Sequence, residues 1–147
     1  MAIETVSEKG LVLLGCGKMG SAMLQGWLAD GLSPSSVHVL DPFPSHWVLE
    51  LEERGLNLNK PLPQEPAVCI IAVKPQMMSE ALPSLKEIAK SDSIFLSIAA
   101  GTSIASFQSI LGDKCKIVRA MPNTPAAIGL GISALIGNRK TSSEDVE

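Results

Sequence analysis

Short apolar runs alternate along the chain with segments whose apolar residues recur at helical spacing. The runs predict strands over residues 11–14, 37–40, 56–58, 68–73, 93–98, 116–120 and 132–136. The segments between them predict helices over residues 18–29, 46–54, 75–90 and 103–111, with Pro83 kinking or dividing the third helix. This alternation predicts an α/β fold, a mostly parallel sheet with helices on both faces.

The composition indicates one globular domain and argues against two classes of partner. Hydrophobic residues make up 46% of the 147 residues, which is enough for a core. A net charge of −3 and only five aromatic residues, three Phe and two Trp, argue against nucleic acid. The longest uncharged apolar stretch, residues 126–137, is shorter than the roughly 18 to 20 residues of a membrane span. Because Glu4 and Glu8 occupy the region where a secretion signal is basic, we expect a cytoplasmic protein.

The cysteines and histidines do not form a recognisable metal site. Cys16, Cys69 and Cys115 are odd in number and far apart, which predicts buried, reduced thiols. His38 and His46 lack a matching cysteine pair, so we predict no metal and assign neither histidine a role.

A glycine-rich hexapeptide, Gly15-Cys16-Gly17-Lys18-Met19-Gly20, lies between the first predicted strand and the first predicted helix. Gly15 would permit the tight turn, Gly17 the approach of a pyrophosphate to the backbone, and Gly20 the close packing of the helix. The helix N-terminus would offer unpaired amides and partial positive charge to the phosphates. The motif in this context predicts a Rossmann-like, doubly wound domain that binds a dinucleotide.

Asp41 ends the second predicted strand, 21 residues after Gly20. A carboxylate there accepts hydrogen bonds from a ribose diol and repels a 2′-phosphate, which favours NADH. Alternatively, Asp41 is a turn residue before Pro42. Lys18 either reaches a phosphate or is a solvated lysine of the first helical turn.

Three further segments follow predicted strands and should reach the same edge of the sheet as the glycine loop. They are Ala72-Val73-Lys74-Pro75, Ala99-Ala100-Gly101 and the proline-flanked pair Asn123 and Thr124. Lys74 could instead be a solvated lysine, and Asn123 and Thr124 could be ordinary turn residues. Since no Ser/His/Asp set or carboxylate pair can be assembled, the chemistry would come mainly from a cofactor.

The last seven residues, 141–147, resemble a helix start. Thr141 and Glu144 have the spacing of a capping box. We expect a dinucleotide-binding domain over residues 1–140, and residues 141–147 to begin a helix leading to a further domain that is absent from this chain. The alternative is a frayed acidic tail.

Four segments together resemble pyrroline-5-carboxylate reductase. They are LGCGKMG at residues 14–20, AVKP at 72–75, SIAAG at 97–101 and RAMPNTPA at 119–126, in that order. The resemblance implies an enzyme of proline biosynthesis, an oxidoreductase acting on CH–NH groups. It would transfer a hydride from NADPH or NADH to the C=N bond of 1-pyrroline-5-carboxylate and so form L-proline.

The resemblance also implies roles for individual residues. Residues 14–19 would contact the pyrophosphate, Pro42 would lie near the adenosine ribose, and Asn59 would make an adenine-side contact. Asn123 and Thr124 would position the nicotinamide and the substrate. The motif and the resemblance together give these candidate cofactor-binding residues: Leu14, Gly15, Cys16, Gly17, Lys18, Met19, Gly20, Asp41, Pro42, Asn59, Ala72, Val73, Lys74, Pro75, Ala99, Ala100 and Gly101.

The family has a second, all-helical domain that forms a dimer or higher homo-oligomer and supplies much of the substrate pocket. It should start near residue 145, so this chain alone should bind cofactor with little or no turnover. Two other interpretations stay open. One is another nicotinamide-dependent dehydrogenase, such as a 3-hydroxyacid dehydrogenase, and the other is a non-catalytic NAD(P)-sensing module.

Overall fold

One sheet organises the part of the chain that the structure describes. The computed structural model describes residues 3–99, 101–122, 133–142 and 145. Seven strands lie there: β1 (Leu11–Leu14), β2 (Val37–Leu40), β3 (Asn57–Leu58), β4 (Val68–Ile71), β5 (Ile94–Ser97), β6 (Lys116–Pro122) and β7 (Ser133–Gly137). They pair in the order β3-β2-β1-β4-β5-β6-β7, and every pair except β6 with β7 is parallel. This order confirms the doubly wound, mostly parallel fold.

Helices connect the strands, and the first was not predicted. They are α1 (Ile3–Lys9), α2 (Lys18–Ala29), α3 (His46–Glu53), α4 (Met78–Ala81) and α5 (Ile104–Leu111). α1 has seven residues and only two that are apolar, Ile3 and Val6, which is too short a pattern to predict a helix.

The prediction of one helix over residues 75–90 is wrong, because the segment is not a continuous helix. The segment consists of the short 3-10 turns Pro75–Met77, Leu82–Leu85 and Ile88–Lys90, with only α4 between the first two. Pro83 lies at the start of the second turn, where its missing N–H costs no hydrogen bond. The expectation that Pro83 divides the segment is therefore confirmed.

The sheet is covered on both faces, because neighbouring residues of its central strands enter two separate cores. Leu11 and Leu13 belong to one cluster, in which Leu24 of α2 is fully buried. Val12 and Leu14 belong to the other, which contains Phe107 of α5. All four residues of β1 are buried, as expected for a strand between two layers of helix.

The three cysteines are buried and none forms a disulfide, as predicted. Burial raises the pKa of the Cys69 thiol to about 12. These thiols are part of the core, and Cys69 stays neutral at physiological pH.

A capping interaction occurs at the end of the chain, one residue later than predicted. The Ser142 N–H donates to Asp145 Oδ2 at 2.8 Å, and the Asp145 N–H donates to Ser142 Oγ at 3.2 Å. Thr141 Oγ1 instead donates to a backbone carbonyl, and Glu144 lies outside the described residues. Lys116 Nζ, 3.3 Å from Asp145, ties this segment to the sheet. The onward helix and the domain after it stay predictions.

Candidate functional site

The carboxyl ends of the four central strands meet in one row. Leu14 is paired with Leu40 on one side and with Ile71 on the other, and Ile71 is paired with Ser97. The strand order reverses between β1 and β4, which is where doubly wound proteins bind their ligands. The glycine loop begins at this row, because the Gly15 N–H donates to Leu40 O at 2.8 Å.

Two of the motif's glycines are required by the fold itself. Gly15 has a φ of +85°, and a Cβ there would lie 2.8 Å from Val73 Cγ1 and 3.1 Å from Ala72 O. A Cβ on Gly20 would lie 2.9 Å from Gly15 O. Their predicted roles in the tight turn and in the packing of the helix are confirmed.

Gly17 is different, because nothing in the described part of the chain requires a glycine there. Its φ of −78° is open to any residue, and a Cβ would meet no atom within 4 Å. Gly17 therefore keeps a space open at the start of α2 rather than allowing a contact within the protein.

The N-terminus of α2 presents, beside this space, backbone donors that have no partner within the helix. The Ser21 N–H donates to Gly17 O at 2.8 Å, and Gly17 is the N-cap without any side-chain cap. The preceding amides, of Lys18, Met19 and Gly20, therefore have no acceptor within the helix. Together with the helix dipole they make a site for an anion, and the exposed Lys18 adds a positive charge.

Asp41 joins the glycine loop to the loop after β2. Its Oδ2 accepts from the Cys16 N–H at 3.0 Å, and its Oδ1 accepts from the Phe43 N–H at 2.8 Å. The second bond is the turn role that the sequence allowed. A carboxylate has about four acceptor sites, so Asp41 keeps acceptor capacity for a ribose hydroxyl, and the ribose role stays a prediction.

The side chain of Asn59 is bound to the backbone of Asp41. Asn59 Oδ1 accepts from the Asp41 N–H at 2.9 Å, and Asn59 Nδ2 donates to Asp41 O at 2.8 Å. The structure thus places Asn59 at the predicted edge, but with both ends of its amide already engaged.

Phe43 is the residue at this edge that was not predicted from the sequence. Its side chain is 85% exposed, far more than the other large apolar residues that are exposed in the described part of the chain. The sequence signal is an aromatic residue that follows Asp41 closely and is flanked by Pro42 and Pro44.

The other predicted residues are distributed as follows. Lys74 is exposed and precedes the 3-10 turn that begins at Pro75. The half-buried Ala99 donates its N–H to Ser97 Oγ at 3.2 Å, and Gly101 has a φ of +73°. Ala100, Asn123 and Thr124 lie outside the described residues.

The site has no reactive thiol. Burial, and to a lesser degree the charge of Asp41, raise the pKa of the Cys16 thiol, although a hydrogen bond with Ser21 opposes them.

Among the described residues, no group of three His, Cys, Asp or Glu side chains could hold a metal ion. The same residues include no helix that is long and apolar enough to span a membrane.

The comparisons with known proteins agree with this geometry. The chain is 34% identical over 142 residues to a pyrroline-5-carboxylate reductase of Escherichia coli, which covers 94% of this chain and 53% of that protein. A Methanosarcina acetivorans protein of the same name is 32% identical over 138 residues, or 91% of this chain and 51% of that one. The chain therefore spans about half the length of the curated relatives it matches.

Solved structures give the same result. A pyrroline-5-carboxylate reductase from Coxiella burnetii has a TM-score of 0.82 at 25% identity, covering 92% of this chain and 52% of that one. The Plasmodium falciparum pyrroline carboxylate reductase, solved with NADP bound, has a TM-score of 0.78 at 26% identity, covering 95% and 52%. The resemblance noted in the sequence is confirmed.

A family model described as "NADP oxidoreductase coenzyme F420-dependent" matches residues 10–101, which is more than half of the chain. Because the match includes the glycine loop, Asp41 and the ends of β4 and β5, it covers most of the edge that carries the site. The chain belongs to this NADP oxidoreductase family.

Proposed function

We propose that this chain supplies the cofactor site of a reductase that converts 1-pyrroline-5-carboxylate into L-proline by using NADPH or NADH. The observation that carries the proposal is Gly17, a glycine that neither backbone geometry nor packing among the described residues explains. It lies next to helix amides that have no acceptor within the helix. The curated relatives, which bear the name of that reductase, supply the substrate.

The residues present fit a dinucleotide. Its diphosphate would lie against the amides at the start of α2, where the absence of a side chain at Gly17 leaves room. The loop from Asp41 to Pro44 would then border the adenosine half, with the exposed ring of Phe43 offering a flat apolar face to the adenine.

The residues after β2 favour NADH, whereas the comparisons name NADP. The Asp41 carboxylate would repel a 2′-phosphate, and residues 41–45 contain no lysine or arginine to neutralise one. The family description and the Plasmodium falciparum structure name NADP. Both cofactors therefore belong to the proposal.

The nicotinamide half would lie toward β4 and β5. Ala72 and Ala99 are small, so a flat ring could approach the backbone at the ends of these strands, beside residues 72–75 and 99–101. Asn123 and Thr124 would position the ring and the substrate.

When bound, the cofactor supplies the hydride, and the role of this chain is to orient the reactants and to exclude water. An imine is readily protonated, so a strong general acid is not required.

The rest of the pocket would come from a second domain. We propose that residues 1–140 form the dinucleotide-binding domain and that residues 141–147 lead into a helical domain. That domain would complete the substrate site and form a homodimer or larger oligomer in the cytoplasm. This chain alone should then bind cofactor with little turnover.

The proposal is tested in two steps. First, NADH and NADPH are titrated into this chain by calorimetry, and at least one should bind with one-to-one stoichiometry.

Second, the chain is joined to the half of the Escherichia coli relative that it does not match. The joined protein is assayed for oxidation of the reduced nicotinamide with 1-pyrroline-5-carboxylate and, separately, with a 3-ketoacyl thioester. Reduction of the thioester alone would favour a hydroxyacid dehydrogenase, and failure to bind either cofactor would refute the proposal.

A further inference from the structure

We propose that the start of β6 fixes the direction in which the chain leaves this domain, and that Lys116 thereby positions the part of the substrate pocket that the second domain would supply. The joint that does this consists of residues 115–117, at the start of β6, and the two residues bound to them, Asn138 and Asp145. The inference rests on the proposed function, because it requires that second domain.

The first anchor of the joint is Asn138, directly after β7. Its N–H donates to Ile117 O at 2.8 Å, and its Nδ2 donates to Cys115 O at 2.9 Å. Its Oδ1 accepts from the Ile117 N–H at 3.3 Å. Because main chain and side chain both bind the start of β6, the position of the chain is fixed where β7 ends.

The second anchor is Asp145. Its carboxylate accepts from the Ser142 N–H at 2.8 Å and lies 3.3 Å from Lys116 Nζ. The same side chain therefore caps the start of the proposed onward helix and binds that start to the sheet. Since 22% of the Lys116 side chain and 14% of the Asp145 side chain are exposed, water screens this ion pair less than it screens a pair on the open surface.

The joint lies at the edge of the sheet opposite to the cofactor site. Lys116 begins β6, whereas the glycine loop follows the end of β1, and the two strands run in the same direction. The seven residues from Lys116 to Pro122 extend over about 20 Å. A helix that starts at Asp145 needs roughly 13 residues to rise by that distance to the level of the cofactor. A tilt of about 10° at the joint would displace the far end of such a helix by about 3.5 Å.

A displacement of this size matters because hydride transfer requires the reacting atoms to be closely aligned. A loose joint would let the second domain sample several positions, of which a fraction completes the pocket. The apparent affinity for the substrate falls by that fraction, so a fraction of about one tenth raises the KM about tenfold. Bound substrate restores the complete pocket, so kcat should stay nearly unchanged, and so should the Kd for the cofactor at the opposite edge.

Asp145→Asn is the sharpest variant, because an asparagine side chain can still accept from the Ser142 N–H but carries no charge for Lys116. Lys116→Met removes the charge of the other partner and keeps the aliphatic stem, and Lys116→Arg should retain the function. The matched control is Asp92→Asn. Asp92 Oδ1 lies 3.1 Å from Lys116 Nζ, so this control removes the other ion pair of the lysine without touching the joint.

The first measurement is the backbone order parameter of Ser142 and Asp145, determined by NMR relaxation on this chain. We expect about 0.85, the value of rigid backbone, in the wild type, Lys116→Arg and Asp92→Asn, and less than about 0.6 in Asp145→Asn and Lys116→Met. The order parameters of β6 and of Asn138 should stay high in every variant, which distinguishes a loosened joint from a loosened fold. A flexible Asp145 in the wild type, or a rigid one in both variants that lack a charge, would overturn the inference.

The second measurement is steady-state kinetics on this chain joined to the unmatched half of the Escherichia coli relative. Asp145→Asn and Lys116→Met should raise the KM for 1-pyrroline-5-carboxylate about tenfold and change kcat less than about twofold. A lower kcat with an unchanged KM would indicate a loss of folded protein alone and would overturn the inference. If the joined wild-type protein does not reduce the substrate, it is the proposed function that fails, and the order parameters still decide whether the joint is rigid.

Discussion

Replacing Gly17 separates folding from cofactor binding, because the structure gives this glycine no structural task. Its φ of −78° suits any L-residue, and a Cβ would enter empty space. Serine is a preferred N-cap residue, so Gly17→Ser should change the free energy of unfolding by only about a few tenths of a kcal/mol. Gly17→Val adds bulk at the same point and should also fold.

The effect on binding should be large. A hydrogen bond from an amide to a charged group contributes about 1.5–3 kcal/mol. A valine side chain at the start of α2 would hold the diphosphate away from at least one of the amides of Lys18 and Met19. The loss of one such bond corresponds to a roughly 10- to 100-fold increase in the Kd for the cofactor. Gly17→Ser should give a smaller increase, because its side chain is shorter.

The assay is a cofactor titration beside a thermal melt, with two other glycines as controls. In Gly26→Ala the new Cβ meets nothing within 4 Å, so this helix-interior change should stabilise α2 by about 0.5–1 kcal/mol without altering the Kd. In Gly20→Ala the Cβ lies 2.9 Å from Gly15 O, so the fold should lose about 1–3 kcal/mol. A folded Gly17→Val chain that binds cofactor as tightly as the wild type would refute the reasoning.

Three further outcomes are expected. Phe43→Ala should weaken NADH binding about tenfold but leave the binding of reduced nicotinamide mononucleotide, which has no adenine, unchanged; equal losses for both ligands would argue against stacking. Burial lowers the pKa of His38, so the unfolded state takes up protons first, and thermal melts should show stability falling as the pH drops below about 6.5; His38→Val should reduce that fall, and an unchanged profile would contradict it. The pKa of Asp145 is lowered, first by the Ser142 amide and also by Lys116, so this carboxylate stabilises the fold above its unfolded pKa of about 3.9 and ceases to do so as the pH falls through its folded pKa. Asp145→Asn should therefore melt earlier than the wild type at neutral pH and together with it in strong acid, and a difference that persists in acid would count against this assignment.

The sheet and the glycine loop were predictable because their signals are local. Val12 and Leu14 enter one core and Leu11 and Leu13 the other, so β1 appears as an unbroken apolar run. The roles of Gly15 and Gly20 follow from a six-residue motif whose strand and helix context is visible in the sequence.

The features that were not predicted have either no local signal in the sequence or a misleading one. Asn59 meets Asp41 across 18 positions, and no spacing rule connects them. Helix α1 has only two apolar residues, Ile3 and Val6, which are too few to indicate a helical period. The segment after β4 has helical spacing, but Pro75 begins one short turn, Pro83 is the second residue of another, and α4 between them has only four residues.

The most direct test of the account is amide chemical-shift mapping by NMR, as NADH or NADPH is added to this chain until it is saturated. The account predicts that the largest shifts occur at the amides of Gly17, Lys18 and Met19, with further shifts around Asp41 and Phe43. If the chain binds a nicotinamide dinucleotide while these amides stay unmoved and another surface responds, the diphosphate does not lie at the start of α2, and the central claim is wrong.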